Sequence, residues 1–85
     1  MVSPLKTVKA EILVHLGADL TEIVELSLLP EVEHPISPRS AVEVKNEGGN
    51  LVISIEASDV TALRAAFNSY THWVRAILDV MGSVG

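Results

Sequence analysis

The 85-residue sequence contains no cysteine, only three aromatic residues, and six Lys and Arg residues against eleven Asp and Glu. Without cysteine the chain can form no disulfide, thiolate nucleophile or cysteine-ligated zinc site. The formal net charge of −5 argues against a protein that binds nucleic acid alone, because phosphate affinity comes from clustered Lys and Arg.

Long hydrophobic runs are also missing. No apolar run approaches the ~20 residues that span a bilayer, and the N-terminus lacks the apolar core and cleavage site of a signal peptide. We therefore expect a cytoplasmic protein with no membrane contact. Because 48% of residues are hydrophobic and 20% charged, we predict one folded domain over residues 1–85, with an ordered core at about 7–81.

The first half of the chain predicts a strand followed by a short helix. Apolar and polar residues alternate over residues 7–16, which is typical of a half-buried strand that ends at Gly17. Asp19 and Glu22 have the spacing of a capping box, and a helical stripe follows them. Pro30 predicts that this helix ends within about three turns, and two further prolines predict a loop over residues 31–38.

The second half predicts a hairpin and a long helix. Residues 40–46 and 51–57 alternate as strands, and Gly48 and Gly49 between them suit a tight turn. Residues 58–81 form a long helical pattern, capped by Ser58 or Asp59 and followed by Gly82. The predicted fold is a two-layer α+β domain of order β-α-β-β-α, with two helices on one face of a three-stranded antiparallel sheet.

The long helix carries more apolar surface than one sheet can cover. One stripe, predicted to lie on the sheet, contains Leu63, Phe67, Tyr70, Val74, Ile77 and Met81. A second, small-residue stripe contains Ala62, Ala66, Ser69, Trp73, Ala76 and Val80. Together they span roughly 200°, about twice the usual apolar face. The first helix could cover the second stripe, but it is predicted to be too short, so we interpret this stripe as a partner interface.

The polar residues indicate no active site and no cofactor. The histidines at positions 15, 34 and 72 fall on a strand, a loop and a helix, without the spacing of a metal site. We therefore predict a protein that is not an enzyme. Arg64, Asn68 and Arg75 share the polar side of the long helix, and Arg39 precedes the second strand. These four are candidate RNA or partner contacts, with ordinary surface charge as the alternative.

Three segments together resemble a known family. They are residues 38–44 (PRSAVEV), 51–59 (LVISIEASD) and 63–70 (LRAAFNSY). Residues 28–31 (LLPE) are similar to the "L-x-P-E" helix end of the same family. The chain thus resembles the CTAG/Pcc family of small dimerisation subunits of the KEOPS (EKC) complex, and the resemblance covers about residues 7–80.

The resemblance implies two helices on a three-stranded sheet, a homodimer, and no chemistry in the subunit itself. It also implies that the helices pack against the catalytic threonylcarbamoyl-transferase subunit. The complex makes threonylcarbamoyladenosine (t6A) in tRNA, so a weak tRNA contact is implied as well. Independently of the family, two open sheet edges and a small core favour self-association.

Two other functions remain open at this point. One is an autonomous small RNA-binding or dimeric interaction module outside KEOPS. RNA-binding sheets normally expose aromatic residues for base stacking, whereas all three aromatic residues here lie in the long helix. The other is an enzyme whose site forms only at a dimer interface, with His15 or Glu11 contributing.

Overall fold

The computed structural model describes residues 7–34 and 38–84 and contains five elements. They are β1 (Val8–His15), α1 (Ala18–Glu33), β2 (Ser40–Glu47), β3 (Asn50–Ala57) and α2 (Val60–Val84). The strands form one antiparallel sheet of order β1-β3-β2. The predicted α+β class and element order are confirmed.

The central strand β3 forms the middle of the hydrophobic core. Its helix-facing side chains are at most 1% exposed: Leu51, Ile53, Ile55 and Ala57. In the edge strands, the residues that share this face, such as Ile12 and Val42, are only half-buried. Burial therefore falls from the centre of the sheet to its two edges, as expected when only β3 has a strand on each side.

The turn between β2 and β3 requires glycine at both positions. Gly48 and Gly49 have φ angles of 60° and 86°, which non-glycine residues rarely adopt, and they connect the strands as predicted. Gly49 also lies close to the start of α1: a Cβ atom on residue 49 would lie 3.1 Å from the backbone nitrogen of Ala18. The fully buried Thr21 donates a 2.7 Å hydrogen bond from Oγ1 to the carbonyl of Gly49. The hairpin is thereby attached to α1.

The start of α1 differs from the prediction. The residue before the helix is Gly17, with φ 85° and no side-chain cap, and its carbonyl accepts a 3.0 Å hydrogen bond from the Thr21 backbone N–H. Asp19 lies in the first turn instead of at the cap, where its charge interacts favourably with the helix dipole. The capping-box prediction was wrong because the chain leaves β1 through a conformation that favours glycine, and the helix begins immediately after it.

Pro30 does not end α1, which continues to Glu33. Proline cannot donate to the carbonyl four residues earlier, but its own carbonyl accepts a 3.1 Å bond from the His34 N–H and closes the final turn. Leu28 is buried before Pro30, and Val32 packs against the core after it. This packing offsets the lost hydrogen bond. The loop prediction was therefore wrong at residues 31–33, and its residues 35–37 lie outside the described part of the chain.

The long helix α2 begins as predicted and ends later. The Oδ1 atom of Asp59 accepts a 2.8 Å hydrogen bond from the Ala62 backbone N–H, which confirms Asp59 as a cap. At the other end the helix passes through Gly82 to Val84, three residues beyond the predicted end. At about 1.5 Å per residue, the 25 residues of α2 extend about 37 Å, whereas eight-residue strands extend only about 26 Å.

The buried residues of α2 follow an every-fourth-residue row. The row, 1–6% exposed, consists of Ala62, Ala66, Tyr70 and Val74. Because four residues turn an α-helix by about 400°, this row drifts by about 40° at each step, and the buried side of α2 rotates along its length. The predicted sheet-facing stripe was therefore only partly correct: Tyr70 and Val74 are buried, whereas Phe67 is 39% exposed.

Candidate interaction surfaces

The histidines and carboxylates do not converge. His15, at the end of β1, shares a 2.9 Å hydrogen bond between Nδ1 and Oδ1 of Asn50, while His34 and His72 are exposed elsewhere. Over residues 7–34 and 38–84, no group of three metal-ligating side chains comes together. In the same ranges, neither helix is both long and apolar enough to cross a membrane.

The predicted partner stripe on α2 divides into a buried half and an accessible half. Ala62 and Ala66 are only 3% and 1% exposed, so the chain's own packing occupies the surface they were expected to offer. Toward the C-terminal end, Ser69 and Trp73 are half-buried, Ala76 is exposed and Val80 is 63% exposed. The part of the stripe available to a partner is its C-terminal half.

Two aromatic rings of α2 contact each other beside this half of the stripe. Tyr70 and Trp73 meet edge to face, with centroids 5.0 Å apart and planes at 74°, a favourable geometry for aromatic pairs. Burial, together with the nearby negative charge of Glu31 on α1, raises the pKa of the Tyr70 hydroxyl. Trp73 thus has one side on the core and remains partly accessible.

Helix α1 contributes an apolar surface that the sequence patterns did not predict. Ile23, Leu26 and Leu29 are 45%, 60% and 46% exposed. At about 100° per residue, all three lie well away from the buried Val24 and Leu28. The helical stripe predicted for this segment, which consists of Leu20, Ile23, Val24 and Leu28, includes Ile23 but neither Leu26 nor Leu29. For these two leucines a signal was available: apolar residues outside the main helical stripe are candidates for an external contact.

The two helices run antiparallel, because α1 follows β1 and α2 follows β3, two antiparallel strands. The helices also contact each other. The start of α1 therefore lies beside the C-terminal half of α2. We give the name helix surface to the accessible residues of the two helices taken together, which are Ile23, Leu26, Leu29, Ser69, Trp73, Ala76 and Val80.

The negative charge of the protein is concentrated on α1. Helix α1 contains five acidic residues and no basic residue, namely Asp19, Glu22, Glu25, Glu31 and Glu33. Helix α2 has Arg64 and Arg75 against the single acidic Asp79. The net charge of −5 is thus located mainly on one helix, and a partner of the helix surface should present basic residues around an apolar centre.

The four predicted contact residues do not share one environment. Arg64, Asn68 and Arg75 are exposed on α2, as expected for its polar side. Arg39 instead donates a 2.8 Å hydrogen bond from Nη1 to Oδ2 of Asp59, so it stabilises the start of α2. Three of the four are thus exposed along α2, and Arg39 lies at the start of this helix against Asp59.

The sheet face opposite the helices is mainly charged. Ion pairs join Lys9 to Glu56 at 3.4 Å and Lys45 to Glu43 at 3.3 Å. A shallow hollow of about 660 Å³ lies on this side, near Ser54. The described strands carry no aromatic residue, so this face does not favour the alternative of an autonomous RNA-binding module that stacks bases.

A family model described as transcription factor Pcc1 matches residues 9–82 of the chain. The chain belongs to the Pcc1 family. One curated relative, KEOPS complex subunit Pcc1 of Pyrococcus abyssi (strain GE5 / Orsay), is 38% identical over 79 residues, which is 89% of this chain and 94% of the relative. The resemblance identified from the three sequence segments is therefore confirmed at the level of the family.

Proposed function

We propose that this chain is a non-catalytic dimerisation and scaffold subunit of a KEOPS complex. In this role it pairs with a second copy, bridges catalytic threonylcarbamoyl-transferase subunits and assists tRNA binding for t6A formation. The Pcc1 family relationship supports the assignment. The observation that carries it is the helix surface, where three large side chains of α1 and Val80 of α2 are each at least 45% exposed.

The composition of the helix surface suits contact with a helix of the partner. It contains a small residue, Ala76, between larger apolar groups, so another helix could approach closely there. Trp73 offers a large, partly buried anchor of the kind that dominates interface energies. The acidic residues of α1 give this helix a negative charge, which favours a partner with basic residues at its rim.

A tRNA contact fits the other side of α2. Arg64, Asn68 and Arg75 are exposed there, and α2 is free of the acidic excess found on α1. Two arginines cannot supply a full tRNA site, because each phosphate contact contributes only part of the electrostatic affinity. We therefore assign them an assisting role within the assembled complex.

The test replaces exposed apolar residues by lysine. Leu26→Lys and Val80→Lys place a positive charge on the helix surface, where residues 26 and 80 are 60% and 63% exposed. The matched control is Val60→Lys, since Val60 is 56% exposed at the start of α2 and outside this surface. Affinity for the purified transferase subunit is measured by calorimetry, and thermal unfolding verifies the fold of each variant.

We expect Leu26→Lys and Val80→Lys to weaken binding at least tenfold, or about 1.4 kcal/mol, and Val60→Lys to change it less than twofold. In the assembled complex, Arg64→Glu should weaken tRNA binding without dissociating the transferase. Wild-type affinity in both surface variants would show that the partner binds elsewhere. No measurable binding by the wild type would contradict the scaffold role itself.

A further inference from the structure

Strand β2 forms one edge of the sheet. Its only strand partner in the described part of the chain is β3, so the backbone N–H and C=O groups on its other side pair with no strand there. Val42 and Val44 face the helix layer and remain half-buried, although α1 packs on this strand. An unpaired edge with incompletely covered apolar side chains is a typical place for another strand to add.

Helix α1 turns an acidic side toward this edge. Glu31 lies near Tyr70 of α2 and so marks the side of α1 that faces α2. At about 100° per residue, Glu25 lies about 120° from Glu31, on the other side of the buried Val24 and Leu28. Because α1 contacts β2 more than any other strand, the side of α1 that faces away from α2 lies over the free edge of β2. Glu25 is half-buried at this edge.

The acidic side of α1 lies beside the second half of β2. Strands β1 and β2 are both antiparallel to β3, so α1, which returns from the end of β1, runs antiparallel to β2. Its first residue, Ala18, lies against Gly49 in the turn that follows β2. At about 1.5 Å per helix residue and about 3.3 Å per strand residue, Glu22 and Glu25 lie about two and three strand residues back from that turn.

The charges along this half of the edge are not balanced. Lys45 on β2 pairs with Glu43 at 3.3 Å. Among the described residues, Glu22, Glu25 and Glu47 belong to no ion pair, so the unpaired charge here is negative. A second copy of β2 does not suit this edge, because two-fold pairing would bring two acidic α1 helices together and like charges disfavour association. Nucleic acid is disfavoured because its phosphates are also negative.

We propose that the free edge of β2 binds an extended basic segment of a partner protein as a fourth, antiparallel strand. Apolar residues at alternate positions of the segment cover Val42 and Val44, and Lys or Arg residues toward its N-terminus lie beside Glu25 and Glu47. The backbone hydrogen bonds supply the affinity, and the side-chain pattern supplies the selectivity. The edge is separate from the residues of the helix surface, so this inference does not depend on transferase binding.

The probe is a capped peptide of sequence Lys-Arg-Thr-Val-Lys-Val-Thr, and the amide chemical shifts of the ¹⁵N-labelled full chain locate it. In the antiparallel register its valines lie opposite Val44 and Val42, and its first two residues lie near Glu47 and Glu25. A second peptide, with proline in place of the first Thr and the first Val, keeps the charge but loses a backbone donor on each of its edges. A third peptide, with Glu in place of each Lys and Arg, keeps the alternation and reverses the charge.

We expect the basic peptide to shift the amides of β2 most strongly, and the other two peptides to bind at least tenfold more weakly. Glu25→Lys and Glu47→Lys should each weaken the basic peptide at least fivefold. The matched control is Glu11→Lys, which makes the same charge change at an exposed position of β1 and should alter binding less than twofold. Thermal unfolding verifies the fold of each variant.

Three results would overturn the proposal: the largest shifts on β1, equal binding of the proline peptide, or no shift at all in the wild type. Shifts at β2 that depend on protein concentration without peptide would assign this edge to a second copy instead. Transferase binding by the helix surface is measured separately, with variants at other residues, and none of these results bears on it.

Discussion

Removing the hydroxyl of Thr21 is expected to destabilise the fold by about 2 kcal/mol. Thr21 is fully buried, and its Oγ1 donates a 2.7 Å hydrogen bond to the carbonyl of Gly49, 28 residues away. Thr21→Val keeps the branched shape and removes only the donor. The loss is the cost of leaving the part-buried carbonyl of Gly49 without its donor, which is typically about 1–3 kcal/mol.

The structure offers a matched control in the same helix. Ser27 donates a similar bond of 2.8 Å to the carbonyl of Ile23, but this contact is exposed. When Ser27 is changed to Ala, water can donate to the Ile23 carbonyl in place of the serine hydroxyl. Alanine also has a higher helix propensity than serine. We therefore expect Ser27→Ala to leave stability unchanged or slightly increased. The difference between the two variants compares a part-buried bond between distant residues with an exposed bond inside one helix.

Thermal unfolding at one fixed protein concentration measures both variants, since self-association makes Tm depend on concentration. For a domain of this size, about 2 kcal/mol corresponds to a fall in Tm of roughly 8–16 °C. Thr21→Val should show this fall in Tm. Ser27→Ala should keep its Tm within about 2 °C of the wild type, which corresponds to a change in unfolding free energy well under about 1 kcal/mol. Equal Tm values for the two variants would refute the argument that the hairpin is held to α1 by this bond.

Two further predictions concern the turn and the core. Gly49→Ala should destabilise the protein by at least 1 kcal/mol more than Gly48→Ala. Both positions have positive φ, but only at residue 49 would a Cβ also lie 3.1 Å from the α1 backbone. Urea unfolding measures the stability of the two variants, and equal midpoints would contradict the close approach. The single tyrosine, Tyr70, should titrate above its ordinary value of 10.0 in the folded protein and return to about 10 in denaturant, as measured by absorbance at high pH. Because the folded state keeps this proton longer, stability should fall as the pH rises above about 10; a folded-state value at or below that of the denatured chain would contradict the burial of Tyr70.

Much of the fold could be predicted because the strands carry a local signal. The alternation in β1 and β3, and the two glycines between β2 and β3, depend on backbone geometry that neighbouring residues determine. The ends of α1 could not be predicted in the same way. Pro30 is tolerated because Leu28 and Val32 on either side pack against a core formed by distant residues, and no local pattern contains that information.

The interaction surfaces show the same division. The excess apolar character of α2 is readable from its sequence, and so is the acidic composition of α1. Which side of each helix stays exposed is not readable, because the buried row of α2 rotates along the sheet. Ala62 and Ala66 entered the core for this reason, whereas Leu26 on α1 remained outside.

The sequence by itself determined the element order, the hairpin, the start of α2, the absence of cysteine chemistry and the membership of a family recognisable from three short segments. These properties depend on local backbone preferences and on residue identity. Only the tertiary structure decided where α1 ends, which apolar residues stay accessible and which strands lie at the edges of the sheet. The physical reason is that burial results from packing between elements that are distant along the chain. The local sequence around a hydrophobic residue is the same whether that residue packs in the core of its own chain or contacts another protein.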